Sequence, residues 1–172
     1  DFTLELAGIL RRWQPDLLTA RNLYARPVLE PAARAWFAQD FADQLTSYDY
    51  TAIMAMPSME EADDSRAWLK ALATAALAHP GAVERTVFEL QARDWRTGHA
   101  VPDEQLRQQA AWLRQLGARH LAYYPDDFAA GRPGLATARA SFSGSRAIQD
   151  ELRRRLAPAT PAGRPSTQEN TP

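Results

Sequence analysis

Residues 48–61 read YDYTAIMAMPSMEE. Tyr48 to Ile53 is aromatic and β-branched, the composition of a buried strand, whereas Met54 to Glu61 passes through methionine, proline and a pair of glutamates. Two readings account for that exit. The strand packs and then leaves the core through polar residues, or it delivers side chains to a site.

Outward from this stretch the same unit recurs. TLELAGILRRW, from Thr3, places Leu4, Ala7, Ile9 and Leu10 roughly on one helical face, and PDLLTARNLYA then becomes a short apolar run ending in polar and aromatic residues. EPAARAWFAQDFADQL sets Ala33, Phe37, Phe41 and Leu45 at intervals of four, with Pro31 suited to a first turn, and predicts one helix before the opening strand. EADDSRAWLKALATAALAHPG predicts a helix with acids in its first turn and a stop at Pro80 and Gly81; AVERTVFELQARDW is a third strand bearing Val83, Val87, Phe88 and Leu90. VPDEQLRQQAAWLRQLG aligns Leu106, Ala110, Leu113 and Leu116 and ends at Gly117; ARHLAYYPDDF is the fourth strand. A last helix is expected over 144–156, and residues 157–172, rich in Pro, Ser and Thr, read as a flexible tail.

Four strands, each preceded by a helix, imply parallel pairing through right-handed crossovers, an α/β fold. The strands end in polar and aromatic clusters and none leads into a glycine-rich phosphate loop, which favours a barrel over an open doubly wound sheet. A complete barrel takes about 250 residues and eight strands. The expectation is therefore the C-terminal half, about four βα units over residues 1–156, of a (β/α)8 TIM-type barrel, opening inside a helix with Asp1 where an initiator methionine would stand.

Composition narrows the function classes. The 172 residues are 45% hydrophobic and carry 20 basic against 21 acidic residues, a net charge of -1 that gives no footprint for nucleic acid or an anionic membrane. With no cysteine, disulfides, thiolate nucleophiles and cysteine metal sites are excluded, and cytoplasm and periplasm both stay open. His79, His99 and His120 are scattered without the spacing of a zinc site, so no metal and no cofactor is assigned.

In a barrel, function sits at the C-terminal ends of the strands, here RNLYAR, MAMPSMEE, ELQARDWR and AYYPDDF. Aromatic planes that stack on sugar rings, beside carboxylates, amides and arginines that bond hydroxyls, suit a carbohydrate. Several stretches also resemble a known family: TARNLYARPVLEP, SYDYTAIMAMPSME, FELQARDW and YYPDDF are similar to the C-terminal glycoside hydrolase domain of the periplasmic poly-β-1,6-N-acetyl-D-glucosamine N-deacetylases (PgaB/BpsB) of Gram-negative biofilm systems. The resemblance runs from about Leu4 to Leu156. It implies a (β/α)8 domain, following a deacetylase domain, that binds and cleaves partially deacetylated poly-β-1,6-N-acetylglucosamine. It also implies a periplasmic protein tethered to the outer membrane through a lipidated N-terminus. The expected partners are the polymer, the N-terminal half of the same barrel and the deacetylase domain. The family's principal catalytic aspartate is expected on an earlier strand, so no residue here inherits that role and the chain alone is expected to be inactive.

Individual residues divide between site and packing. Trp95, after Asp94, suits a stacking platform, or else a lid on the rim; Trp36, Trp68 and Trp112 read as helix-to-barrel core. Asn22 and Tyr24 either reach hydroxyls or close a turn. Glu60 is placed toward the cleft, with Glu61 favouring the positive end of the following helix. Glu89, with Val87, Gln91 and Arg93, alternates against Phe88, Leu90 and Ala92, so Glu89 points inward, where a carboxylate is paired or has a raised pKa. Tyr124 and Asp126 stand at the last strand's mouth, where Asp126 and Asp127 either attract free amines of the polymer or form a solvated turn. Glu89 and Asp94 are the catalytic candidates in this half. The competing function is a module that holds and guides the polymer without cleaving it.

Overall fold

The computed structural model describes residues 2–127 and 129–142. The helix expected over 144–156 and the tail 157–172 lie outside the described residues. The elements run α1 (Phe2–Trp13), β1 (Ala20–Tyr24), α2 (Arg26–Leu29), a 3₁₀ turn (Pro31–Ala33), α3 (Arg34–Phe37), α4 (Phe41–Ser47), β2 (Tyr50–Ala55), α5 (Ser65–Leu77), α6 (Ala82–Arg85), β3 (Thr86–Gln91), α7 (Asp103–Gln115), β4 (His120–Tyr124) and α8 (Leu135–Phe142).

The four strands form one parallel sheet in the order β1-β2-β3-β4, each beside its neighbour in sequence. A doubly wound sheet reverses direction at a switch point and carries helices on both faces; an unbroken sequential order keeps the crossovers on one face, as in TIM-type barrels. The buried side chains agree. Leu23, Ile53, Phe88, Leu90 and Leu121 point to the covered face, where they meet Phe41, Leu69, Leu72, Leu106 and Leu113 from the helices in one core. No described helix is long and apolar enough to cross a membrane.

Local chemistry explains where the sequence-based boundaries move. The single helix expected over EPAARAWFAQDFADQL is broken into a 3₁₀ turn, α3 and α4. Ala38 adopts a left-handed conformation at φ 50 and ends α3, while Asp40 caps α4 by accepting from the Asp43 N–H at 3.1 Å and pairs with Arg34 at 2.9 Å. An aspartate just before an apolar run is a start signal, and here it overrides the four-residue periodicity. Pro31 does open its turn, as expected.

The helix expected from Glu61 begins instead at Ser65, because Asp64 accepts from the Arg66 and Ala67 N–H groups at 2.9 and 3.0 Å. Glu61, in a left-handed conformation at φ 53, thus lies ahead of the helix and not in its first turn; it meets Arg96 at 3.7 Å. The third strand is shorter than AVERTVFELQARDW, since residues 82–85, Val83 among them, coil into α6. Tyr48 caps the end of α4 outside the strand, and its hydroxyl donates to Thr3 Oγ1 at 3.0 Å. Gly117 ends α7 as expected, with φ 97, a value that favours glycine.

Candidate functional site

Parallel register places on one sheet face the residues that alternate with the core. Tyr24 pairs with Met54, Met54 with Glu89 and Glu89 with Ala122, giving one row across four strands; Gln91 and Tyr124 form the next. Asn22 lies beside Ala52 on the row below. This face, opposite the helices, is polar and aromatic. It corresponds to the lumen and mouth of a TIM-type sheet, where the C-terminal ends of the strands carry chemistry.

Asn22 and Glu89 were singled out separately, and the fold brings them together: Asn22 Nδ2 donates to Glu89 Oε2 at 3.3 Å. Their strands flank β2, about 10 Å apart at the usual strand spacing, and the small Ala52 between them leaves room for the side chains to meet. Glu89 is half-buried, and burial pushes its carboxyl above the ordinary carboxylate value. Asp94, the other catalytic candidate, sits in the opposite environment. The Arg96 N–H donates to its Oδ1 at 2.9 Å, and that bond, the largest effect, outweighs desolvation and, with lesser help from the Arg96 guanidinium and Thr97, holds it below the ordinary value. Glu89 is thus suited to carry a proton, Asp94 to remain an anion within its own loop.

Aromatic pairs stand on both sides of Glu89. Trp95, in the loop after β3, and Tyr124, at the end of β4, have rings 6.1 Å apart with 33° between their planes, 44% and 52% exposed. On the β1 side, Tyr24 packs on Phe37 at 5.0 Å, and Phe37 meets the edge of Trp36 at 6.4 Å. Trp36 is 89% exposed, which overturns its reading as helix-to-barrel core. The break after α3 carries it on the connection leaving the C-terminal end of β1 rather than over the helix layer. Trp68 and Trp112 do pack against the core, partly buried.

The acids beyond the central pair are partnered. Glu60 meets Arg26 at 4.0 Å, with only 17% of its side chain exposed. Asp126 is exposed and bonds the Tyr123 hydroxyl, whose ring packs on Phe142 at 4.8 Å. Tyr123 belongs to the helix side, so Asp126 is partnered there rather than with the rings at the strand ends. Gln91 and Arg93 divide the inward expectation. Gln91 is buried, accepting from the Met59 N–H at 3.1 Å and donating to the Arg93 carbonyl at 2.8 Å, so it ties the β2 and β3 loops. Arg93 lies past the end of the strand and is exposed.

Sequence reasoning missed three features of this face: Met54 as its floor, the Phe37 bridge and the exposure of Trp36. Phe37 and Trp36 would have been found had Asp40 been weighted as a cap. Among the described residues no group of three His, Cys, Asp or Glu side chains could hold a metal ion.

The model of hypothetical glycosyl hydrolase family 13 matches residues 1–124. Over 149 residues the chain is 40% identical to the poly-beta-1,6-N-acetyl-D-glucosamine N-deacetylases of Escherichia coli K12 and O157:H7, covering 83% of this chain and 22% of theirs. The chain therefore spans about a fifth of the length of these relatives. Its fold matches the solved PgaB (BpsB) glycoside hydrolase domain of Bordetella bronchiseptica with a TM-score of 0.79 and 46% identity, covering 83% of this chain and 41% of that one. The chain belongs to hypothetical glycosyl hydrolase family 13, and its parallel sheet is of the TIM-barrel type found in the PgaB glycoside hydrolase domain.

Proposed function

We propose that this chain is the C-terminal half of a glycoside hydrolase barrel that binds and cleaves partially deacetylated poly-β-1,6-N-acetylglucosamine, within a polypeptide that also deacetylates the polymer for export. The observation that carries the reading is the Asn22–Glu89 pair lying between two exposed aromatic clusters at the strand ends. Kinship with the Escherichia coli deacetylases supports the choice of polymer.

Trp95 and Tyr124 on one side, and Tyr24 with Trp36 on the other, stack the apolar faces of successive sugar rings. Asn22 Nδ2 and the carboxyls of Glu60 and Glu89 bond hydroxyls, acetamido groups or the ammonium of a deacetylated sugar. Asp94 and Asp126 are binding candidates at the rim. Glycoside hydrolysis needs a proton on the leaving oxygen and a nucleophile at the anomeric carbon, which is a second carboxylate, a water activated by that carboxylate, or the substrate's own acetamido oxygen. Glu89, with its raised pKa, is the residue in this chain best able to hold that proton. The principal catalytic aspartate comes from an earlier strand, so the chain alone does not turn over. The polypeptide works in the periplasm, held at the outer membrane by a lipidated N-terminus, and this half uses no cofactor.

The alternative is a guide that holds the polymer without cutting it. Incubation of the complete barrel, and separately of this chain, with partially deacetylated polymer, followed by mass spectrometry of the products, separates the two. Discrete oligosaccharides from the complete barrel alone are expected. Polymer of unchanged length in both samples, despite binding, would establish the guide and remove the hydrolase assignment.

A further inference from the structure

The connections after β3 and β4 enclose a second feature that the sugar site leaves unused. It is a cavity of about 310 Å³ lined by Arg93, His99 and Arg132, with Pro125 and Asp127 beside them. Both walls are built rather than loose. Arg93 bridges Ala100, and Asp127 bridges Arg132, each in antiparallel fashion. The Val101 N–H donates to the Ala92 carbonyl at 2.9 Å, and the Gly134 N–H reaches the Asp103 carboxylate at 3.1 Å. The Ala92 N–H donates to the Tyr124 carbonyl at 2.8 Å, joining the two walls.

The charges in this cavity are not neutralised locally. Arg93 Nε donates to the Gly98 carbonyl at 3.0 Å, which orients the guanidinium, and its terminal N–H groups have no hydrogen-bond acceptor among the described residues. Neither Arg93 nor Arg132 forms an ion pair among the described residues, whereas Arg11, Arg26, Arg34, Arg96, Arg107 and Arg119 do. Asp127 spends Oδ1 on the Ala130 N–H of its own turn, at 2.9 Å. Two guanidiniums and an imidazole therefore face one carboxylate, an excess of planar donors that matches the bidentate geometry of a carboxylate or phosphate. Because backbone bonds fix both walls, little ordering is required when a ligand enters.

We propose that this cleft is an oxyanion-binding site that takes one carboxylate or phosphate group. The group arrives either as a free anion or as an acidic substituent on a glycan. The test titrates the natural polypeptide carrying this chain with inorganic phosphate at constant ionic strength by calorimetry. Saturable one-site binding is expected, weakened about tenfold in Arg132→Gln, on the scale of one charge-assisted hydrogen bond, and to an intermediate degree in Arg132→Lys, which keeps the charge but not the planar fork. Unfolding temperatures of the variants report whether the loops persist. Absence of saturable binding, or equal binding by Arg132→Gln, would overturn the site. A β-1,6-linked oligosaccharide with and without a terminal phosphate distinguishes the sources. Tighter binding of the phosphorylated form, lost in Arg132→Gln, assigns the group to a glycan; phosphate binding with no gain from attachment assigns a free anion.

Discussion

The two faces of one sheet carry two different kinds of information. On the helix side, Leu23, Ile53, Phe88 and Leu90 are fully buried, and hydrophobic burial alone dictates them. On the other side the same four strands present Asn22, Tyr24, Met54, Glu89 and Tyr124, a set that packing by itself would not select. Because strand side chains alternate with period two, a single register shift would exchange these faces. The buried helix-side core therefore fixes the register that presents the polar face.

Substitutions on the two faces should accordingly fail in different ways. Phe88→Ala removes the largest fully buried strand residue and should cost about 3–5 kcal/mol of stability, read from the urea midpoint; a cost no greater than that of Trp95→Ala would erase the contrast. Trp95→Ala should leave the unfolding midpoint nearly unchanged while weakening glycan binding by about 1 kcal/mol, roughly fivefold in Kd. Within the helix layer, Asp64→Ala removes the cap of α5 and should cost about 1 kcal/mol, with glycan affinity unaltered.

Titration sharpens the contrast further. Burial raises the Glu89 pKa above its ordinary 4.5, so between these values the folded state holds a proton that the unfolded chain has lost. Its contribution to stability is complete below 4.5 and declines as pH rises through the folded value. Glu89→Gln should flatten that decline in a series of urea melts; a curve identical to that of the parent chain would mean the carboxyl is not buried in solution. His120 shows the reverse sign. It is 3% exposed with Nε2 3.0 Å from the Glu84 carbonyl, and burial lowers its pKa below 6.5. The unfolded chain then binds the extra proton, so stability falls as pH drops through the range below 6.5. Replacing His120 with Gln should remove this dependence, the smallest of the expected effects.

The elements most legible in the sequence were those whose signal is local and redundant. The central apolar residues of each strand, the Gly117 stop and the sequential helix–strand rhythm lead directly to a parallel α/β sheet, and these are present, although Val83, expected in the third strand, coils into α6. The stretch between Tyr24 and Tyr48 was misread because two signals conflict there. The four-residue spacing of Ala33, Phe37, Phe41 and Leu45 argues for one helix, while the Asp40 side chain offers the backbone a competing start. That conflict hid Trp36. At the site, the residue types were legible but their partnerships were not: Asn22 and Glu89 are 67 positions apart, and only the register across β2 shows that they meet.

The most direct test of the polar face as a glycan site is a calorimetric titration with a partially deacetylated β-1,6-linked hexasaccharide. The proteins compared are the complete barrel and its Trp95→Ala, Trp36→Ala and Phe88→Val variants. Saturable binding that both tryptophan changes weaken, and that Phe88→Val leaves intact while lowering the urea midpoint, is the predicted result. Equal affinity in the parent and both tryptophan variants would contradict it and place the glycan elsewhere on the molecule.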